Sequence, residues 1–143
     1  MGTYETVRNV WERMKYPVYY TAGYTALSAA TEGAKQAIAG NLEGMLARAG
    51  DTAMHNAPFF ALVNLIYSGG VEMSTRKWGR IGGNAFCALV NIGFYAYASL
   101  TSDSDPALPC AINAAVGFYM TNKHISSITQ NTNKFTDTSA ARP

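Results

Sequence analysis

Charge is what this sequence has least of. Asp, Glu, Lys and Arg make up 14% of its 143 residues, against about 25% in ordinary soluble domains. A net charge of +2 is too small to point to a nucleic-acid partner, and no basic run is interleaved with stacking aromatics. Cysteine is scarce too: Cys87 and Cys110 form neither a C-x-x-C arrangement nor a metal-ligand spacing. Histidine is limited to His55 and His124, and there is no glycine-rich phosphate loop, no Ser/His/Asp set and no Asn-x-Ser/Thr acceptor. The first fifteen residues are polar and include Glu5 and Glu12, so neither a signal peptide nor a cleavable transit peptide is expected there. With no motif for catalysis, the chain is read as a non-enzyme without a cofactor.

What is present is a set of long uncharged stretches. Ile81 to Ser102 is the clearest, 22 residues without a formal charge, bounded by Arg76, Lys77 and Arg80 before it and Asp103 and Asp105 after it. At about 1.5 Å per residue it is long enough to cross a hydrocarbon core of roughly 30 Å. A mean hydropathy of -0.04 argues the other way. Both facts are met if the spans are rich in Ala, Gly, Ser, Thr and Asn, residues suited to contact between helices.

The expected fold is therefore all-α, an integral membrane bundle of four transmembrane helices, in a length that fits one domain. The spans are placed at about 17–36, 52–71, 81–102 and 106–122. The first is the shortest in uncharged residues, and a three-span alternative leaves residues 17 to 49 as a peripheral helix. Pro17 suits an opening turn, and Tyr16, Tyr19 and Tyr20 suit the headgroup level. Small residues recur in two rows, Ala22, Ala26, Ala30 and Ala34 beside Ala29, Gly33 and Ala37. Residues 41–51 read as a connection able to keep helical turns, 73–79 as a short basic turn, and Pro106 and Pro109 as the opening of the last span.

Residues 1–16 place Tyr4, Val7, Trp11 and Met14 on one helical stripe and read as an interfacial amphipathic helix. The first six residues also fit the loose pattern for myristoylation of Gly2. Residues 123–143, rich in Thr, Asn and Ser, are expected to be an extended tail.

Four crossings put the N-terminus, the second loop and the tail on one side. That side holds nine of the eleven Lys and Arg residues, and only Lys35 and Arg48 fall on the other. This asymmetry is what the positive-inside rule predicts, with both termini on the positive, matrix or cytoplasmic, side.

Counting depth at 1.5 Å per residue brings Asn64, Asn91 and Asn113 to one plane near mid-membrane. An amide there should turn inward and bond across helices, as a polar layer that glues the spans or lines a path. Cys87 and Cys110 fall roughly 15 Å apart in depth, beyond the reach of a disulfide, and are expected to be free thiols. His55 and His124 sit near opposite faces, which forbids paired haem ligation. Arg76, Lys77, Trp78 and Arg80 form a basic turn able to hold anionic lipid headgroups.

Four short, small-residue-rich spans with a basic second loop resemble the mitochondrial preprotein and amino-acid transporter family. That family pairs an arginine with an aspartate four residues on, followed by glycines. Here Arg80 is followed by Asn84, and Gly82 and Gly83 come between them. The resemblance implies translocase channel subunits or an accessory membrane subunit of respiratory complex I. It also implies termini in the intermembrane space, opposite to the charge count. The function expected is that of a non-catalytic structural subunit of a membrane complex, such as a respiratory-chain complex of the mitochondrial inner membrane. Its partners would be membrane lipids and other membrane subunits. A small transporter or pore and a coat or envelope protein are the alternatives.

Overall fold

A computed structural model describes the backbone of residues 3–101 and 105–140, with side chains throughout except at residues 3, 5, 9 and 132–140. Three helices account for nearly all of it, α1 (Thr3–Ile38), α2 (Leu42–Thr101) and α3 (Ala107–Ala140), with no strand among the described residues. The all-α class is as expected. No helix among the described residues is long and apolar enough to cross a membrane, so hydropathy does not carry the four-span arrangement. Gly2 and the Ser102 and Asp103 part of the acidic turn lie outside the described residues.

The helix ends follow from local chemistry. At the close of α1, Gly40 takes a positive φ of 77°, where a side chain would be strained. Its amide bonds the Ala37 carbonyl at 3.0 Å and the Asn41 amide bonds the Gln36 carbonyl at 2.9 Å, the paired bonds of a Schellman cap. Asn41 then turns to the next helix, its Oδ1 accepting from the Gly44 amide at 3.0 Å as an N-cap. One glycine and one asparagine thus stop α1 and start α2. At α3 the Asp105 Oδ1 accepts from the Ala107 amide at 2.9 Å, beside Pro106.

Several sequence boundaries are overturned. The stripe at residues 1–16 is not a separate helix, because α1 runs through Pro17 without a restart. Proline removes one ladder bond, and the helix-compatible residues on both sides carry the ladder past it. Residues 42–51 do keep helical turns, as part of α2, and the connection is the shorter 39–41. The 73–79 connection shrinks to Trp78 and Gly79, whose backbone angles alone leave the helical region within α2. The tail at 123–140 is helical rather than extended. It contains no Gly or Pro, so nothing in it stops the helix.

The break in α2 reverses the chain. Gly79 has φ 65° and ψ -157°, a conformation open to glycine. A Cβ on Gly82 would lie 2.5 Å from the Ser74 carbonyl oxygen, and one on Gly70 2.2 Å from the Phe86 ring. An unbroken helix would hold Ser74 and Gly82 about 12 Å apart. The residues after Gly79 therefore run back along those before it.

The chain divides between Ser68 and Gly69 into two compact units. In the first, α1 and the opening of α2 run antiparallel. Gly33 meets Ala49 and Met45, Ser28 accepts from Asn56 at 2.8 Å, and the Tyr20 and Tyr67 rings meet edge to face at 5.2 Å. In the second unit, the two arms around Gly79 are joined by α3, whose Ile125 lies against Gly83.

Gly82→Ala should destabilise the second unit by about 1 to 3 kcal/mol, because a backbone carbonyl has to move to admit the methyl. Gly93, with nothing within 4 Å, should gain about 0.5 to 1 kcal/mol as Ala from helix propensity alone. Denaturant unfolding of both variants, followed by circular dichroism, checks the opposite signs.

Candidate functional site

Two features of the second unit carry most of its polar chemistry. The first is the basic turn at the break in α2. Arg76 Nη2 donates to Glu72 Oε1 at 2.6 Å, one helical turn earlier. The Lys77 ammonium lies 4.7 Å from the centre of the Trp78 ring. Arg80 Nη2 donates to Ser126 Oγ at 2.9 Å, which ties the turn to α3. Arg76, Lys77, Trp78 and Arg80 are all exposed. The four residues named from sequence therefore do gather on one turn. Ser126 was not foreseen, because it lies in the segment expected to be a tail.

The second feature is a polar interior. Thr75, Thr121 and His124 are buried beside Cys87, Val71 and Ile125. On α3 the buried set is Gly117, Thr121, His124 and Ile125, spaced as one helix face. That spacing was present in the sequence and crosses the point where the last span was taken to end. In the first unit Asn64 and Ser68 are buried with Tyr20 and Tyr67.

The asparagine layer separates into three different environments. Asn64 is 3% exposed and its Nδ2 has no hydrogen-bond partner among the described residues. Asn91 donates to the Cys87 carbonyl at 2.8 Å on its own helix, rather than across to a neighbour. Asn113 is half-buried on α3. Asn64 belongs to the first unit and the other two to the second, and the hydrogen bonds seen, from Asn91 to the Cys87 carbonyl and Sγ, are local. Cys87 and Cys110 are free, the first fully buried. His55 is exposed on α2 and His124 buried on α3.

Two ion pairs occur among the described residues, Arg76 with Glu72 and Lys15 with Glu12. The Glu12 carboxylate, bonded to the Lys15 ammonium, raises that lysine above its ordinary range, against a slight opposing effect of burial. A raised lysine value contributes stability throughout neutral pH and loses it only as the pH climbs past the alkaline titration. Among the described residues no three His, Cys, Asp or Glu side chains come together as a metal site. No family model, curated protein or solved structure matches the chain.

Replacing Asn64 by Leu removes a buried donor that has no acceptor, and should leave stability unchanged or raise it by about 1 kcal/mol. Asn91→Leu gives up only a bond to a carbonyl already used by its helix, and should change stability by less than about 1 kcal/mol. A layer bonded across helices would instead make both variants markedly unstable in thermal unfolding.

Proposed function

We propose that this chain is a non-catalytic structural subunit of a larger membrane assembly, held by lipid and by neighbouring membrane subunits. The observation that carries the reading is an inverted distribution of side chains. Asn64, Ser68, Thr75, Thr121 and His124 are buried, while Leu62, Ile66, Leu89, Ile92, Phe94 and Leu100 are exposed. Water-soluble domains do the reverse, and large exposed apolar surfaces mark contact with protein or membrane.

The second arm of α2 makes the case most strongly. At 100° per residue, Leu89, Ile92, Phe94, Tyr95 and Tyr97 point to every side of the helix, and all are exposed. A helix that is apolar all round is a buried one. Its covering has to come from outside the chain. Mean hydropathy understates this character, because it averages the inward Asn, Ser and Thr with the outward Leu, Ile and Phe.

In this reading Arg76, Lys77, Trp78 and Arg80 meet anionic lipid headgroups at one membrane face. Lys77 and Trp78 fit that role best, since Arg76 and Arg80 already hold protein partners. The resemblance points to the mitochondrial inner membrane, and the charge bias, against the resemblance, puts both termini on its matrix side.

Flotation with phosphatidylcholine–phosphatidylglycerol vesicles is the test, followed by gentle solubilisation from the native membrane. The chain should rise with the vesicles and copurify with a constant set of membrane proteins. Recovery as a dissolved monomer that neither floats nor brings partners would overturn the proposal. Within the floating fraction, Lys77→Glu should weaken binding as the phosphatidylglycerol content is raised, and leave binding to pure phosphatidylcholine unchanged.

A further inference from the structure

The first unit holds a groove of about 780 Å³ between α1 and α2, walled by Met14, Val18, Ala22 and Ala26 on one side and by Ala57 and Ala61 on the other. Its volume is that of a small-molecule site. Apart from two threonines its walls are apolar, and along α1 from Met14 to Ala26 it is about 18 Å long.

The small-residue rows explain why it stays open. Gly33 of one row closes against Ala49 and Met45 of α2, whereas Ala22, Ala26, Ala30 and Ala34 of the other row are all exposed. α1 thus spends one row on α2 and leaves the other without a partner within this unit.

The charges at the two ends differ. Residues seven apart on a helix share a line, so Arg8 and Lys15 stand in line with Ala22 beyond the Met14 end, and Trp11 stands in line with Val18. At the far end Glu32 stands in line with Thr25 and Lys35 with Thr21, so the two charges there offset each other. We propose that the groove holds one acyl chain of an anionic phospholipid, its head at the Arg8 and Lys15 end and its methyl end near Ala26 and Ala57. An aromatic ring and a net positive charge, Arg8 and Lys15 against the Glu12 that Lys15 holds, suit a headgroup at one mouth, and the other mouth carries no net charge. This rests on the membrane reading above and adds to it a place and a direction for one lipid.

The probe is phosphatidylglycerol carrying a photoactivatable diazirine near the end of one acyl chain, in phosphatidylcholine vesicles bearing the full chain. Peptide mapping should find the label concentrated around Thr25, Ala26 and Ala57. Ala22→Trp and Ala61→Trp, which fill the groove from opposite walls, should each cut that labelling several-fold, and Ala30→Trp outside it should not. Lys15→Glu should lower labelling by the phosphatidylglycerol probe, with little effect on a phosphatidylcholine probe of the same chain. Circular dichroism checks that the variants keep their helix, and the map of the unaltered chain decides the matter without them. Label spread as strongly over Leu89 and Tyr97, or unchanged by both tryptophans, overturns the groove and leaves the membrane reading standing. Equal labelling by both probes overturns the anionic head. A chain that fails to float overturns both proposals together.

Discussion

Close approach between helix backbones is the constraint on which this structure depends. The fully buried apolar set is small, with Tyr20, Val71, Cys87 and Ile125 its main members, too few to hold long helices by burial of bulk. Instead, small residues bring neighbouring segments together. Gly82 sits where a methyl would strike the Ser74 carbonyl, Gly83 where one would strike Thr75 and Ile125, and Gly33 rests against Ala49. At such distances dispersion acts between main chains as well as side chains, and a single added carbon forces a shift.

That mode of packing explains the inverted side chains. When helices meet through Gly, Ala, Ser and Thr, the large apolar groups have no room between them and turn outward. Small polar groups sit among them, some bonded within their own helices, as half-buried Thr21 is to the Pro17 carbonyl and half-buried Asn91 to the Cys87 carbonyl, while buried Asn64 Nδ2 and Thr75 Oγ1 have no partner among the described residues. The exposed Leu, Ile and Phe side chains are the surface on which the membrane proposal rests. The proposed lipid, the proposed neighbouring subunits and the acyl chain proposed for the α1–α2 groove are all argued from this one observation.

The sequence was most legible where the chain turns. The basic stretch ending at Trp78 and Gly79 does mark a reversal and Pro106 does stand at the opening of α3, whereas the first connection, read at 41–51, is the shorter 39–41. It was least legible at helix length. Pro17 resembled a beginning and proved to be an interior residue. The polar run after Asn122 resembled a tail, although it lacks any residue that ends a helix. Composition stood in for helix-stopping chemistry in both places, and the two are different properties. Among the site residues, the four of the basic turn were found as a group. The three asparagines were matched in depth along straight spans, and that arithmetic says nothing about which way a side chain turns.

The sequence by itself determined the helical class, the turns and the crowding of cations into a few segments, because each depends on residues close together in the chain. Only the tertiary structure decided which small-residue row of α1 meets α2 and which stays open, and which polar groups are enclosed. The two rows are nearly identical in composition. The row that meets α2 is the one holding Gly33, which rests against Ala49 and Met45, and those contacts belong to the packed pair of helices, which no count of residues along one helix contains.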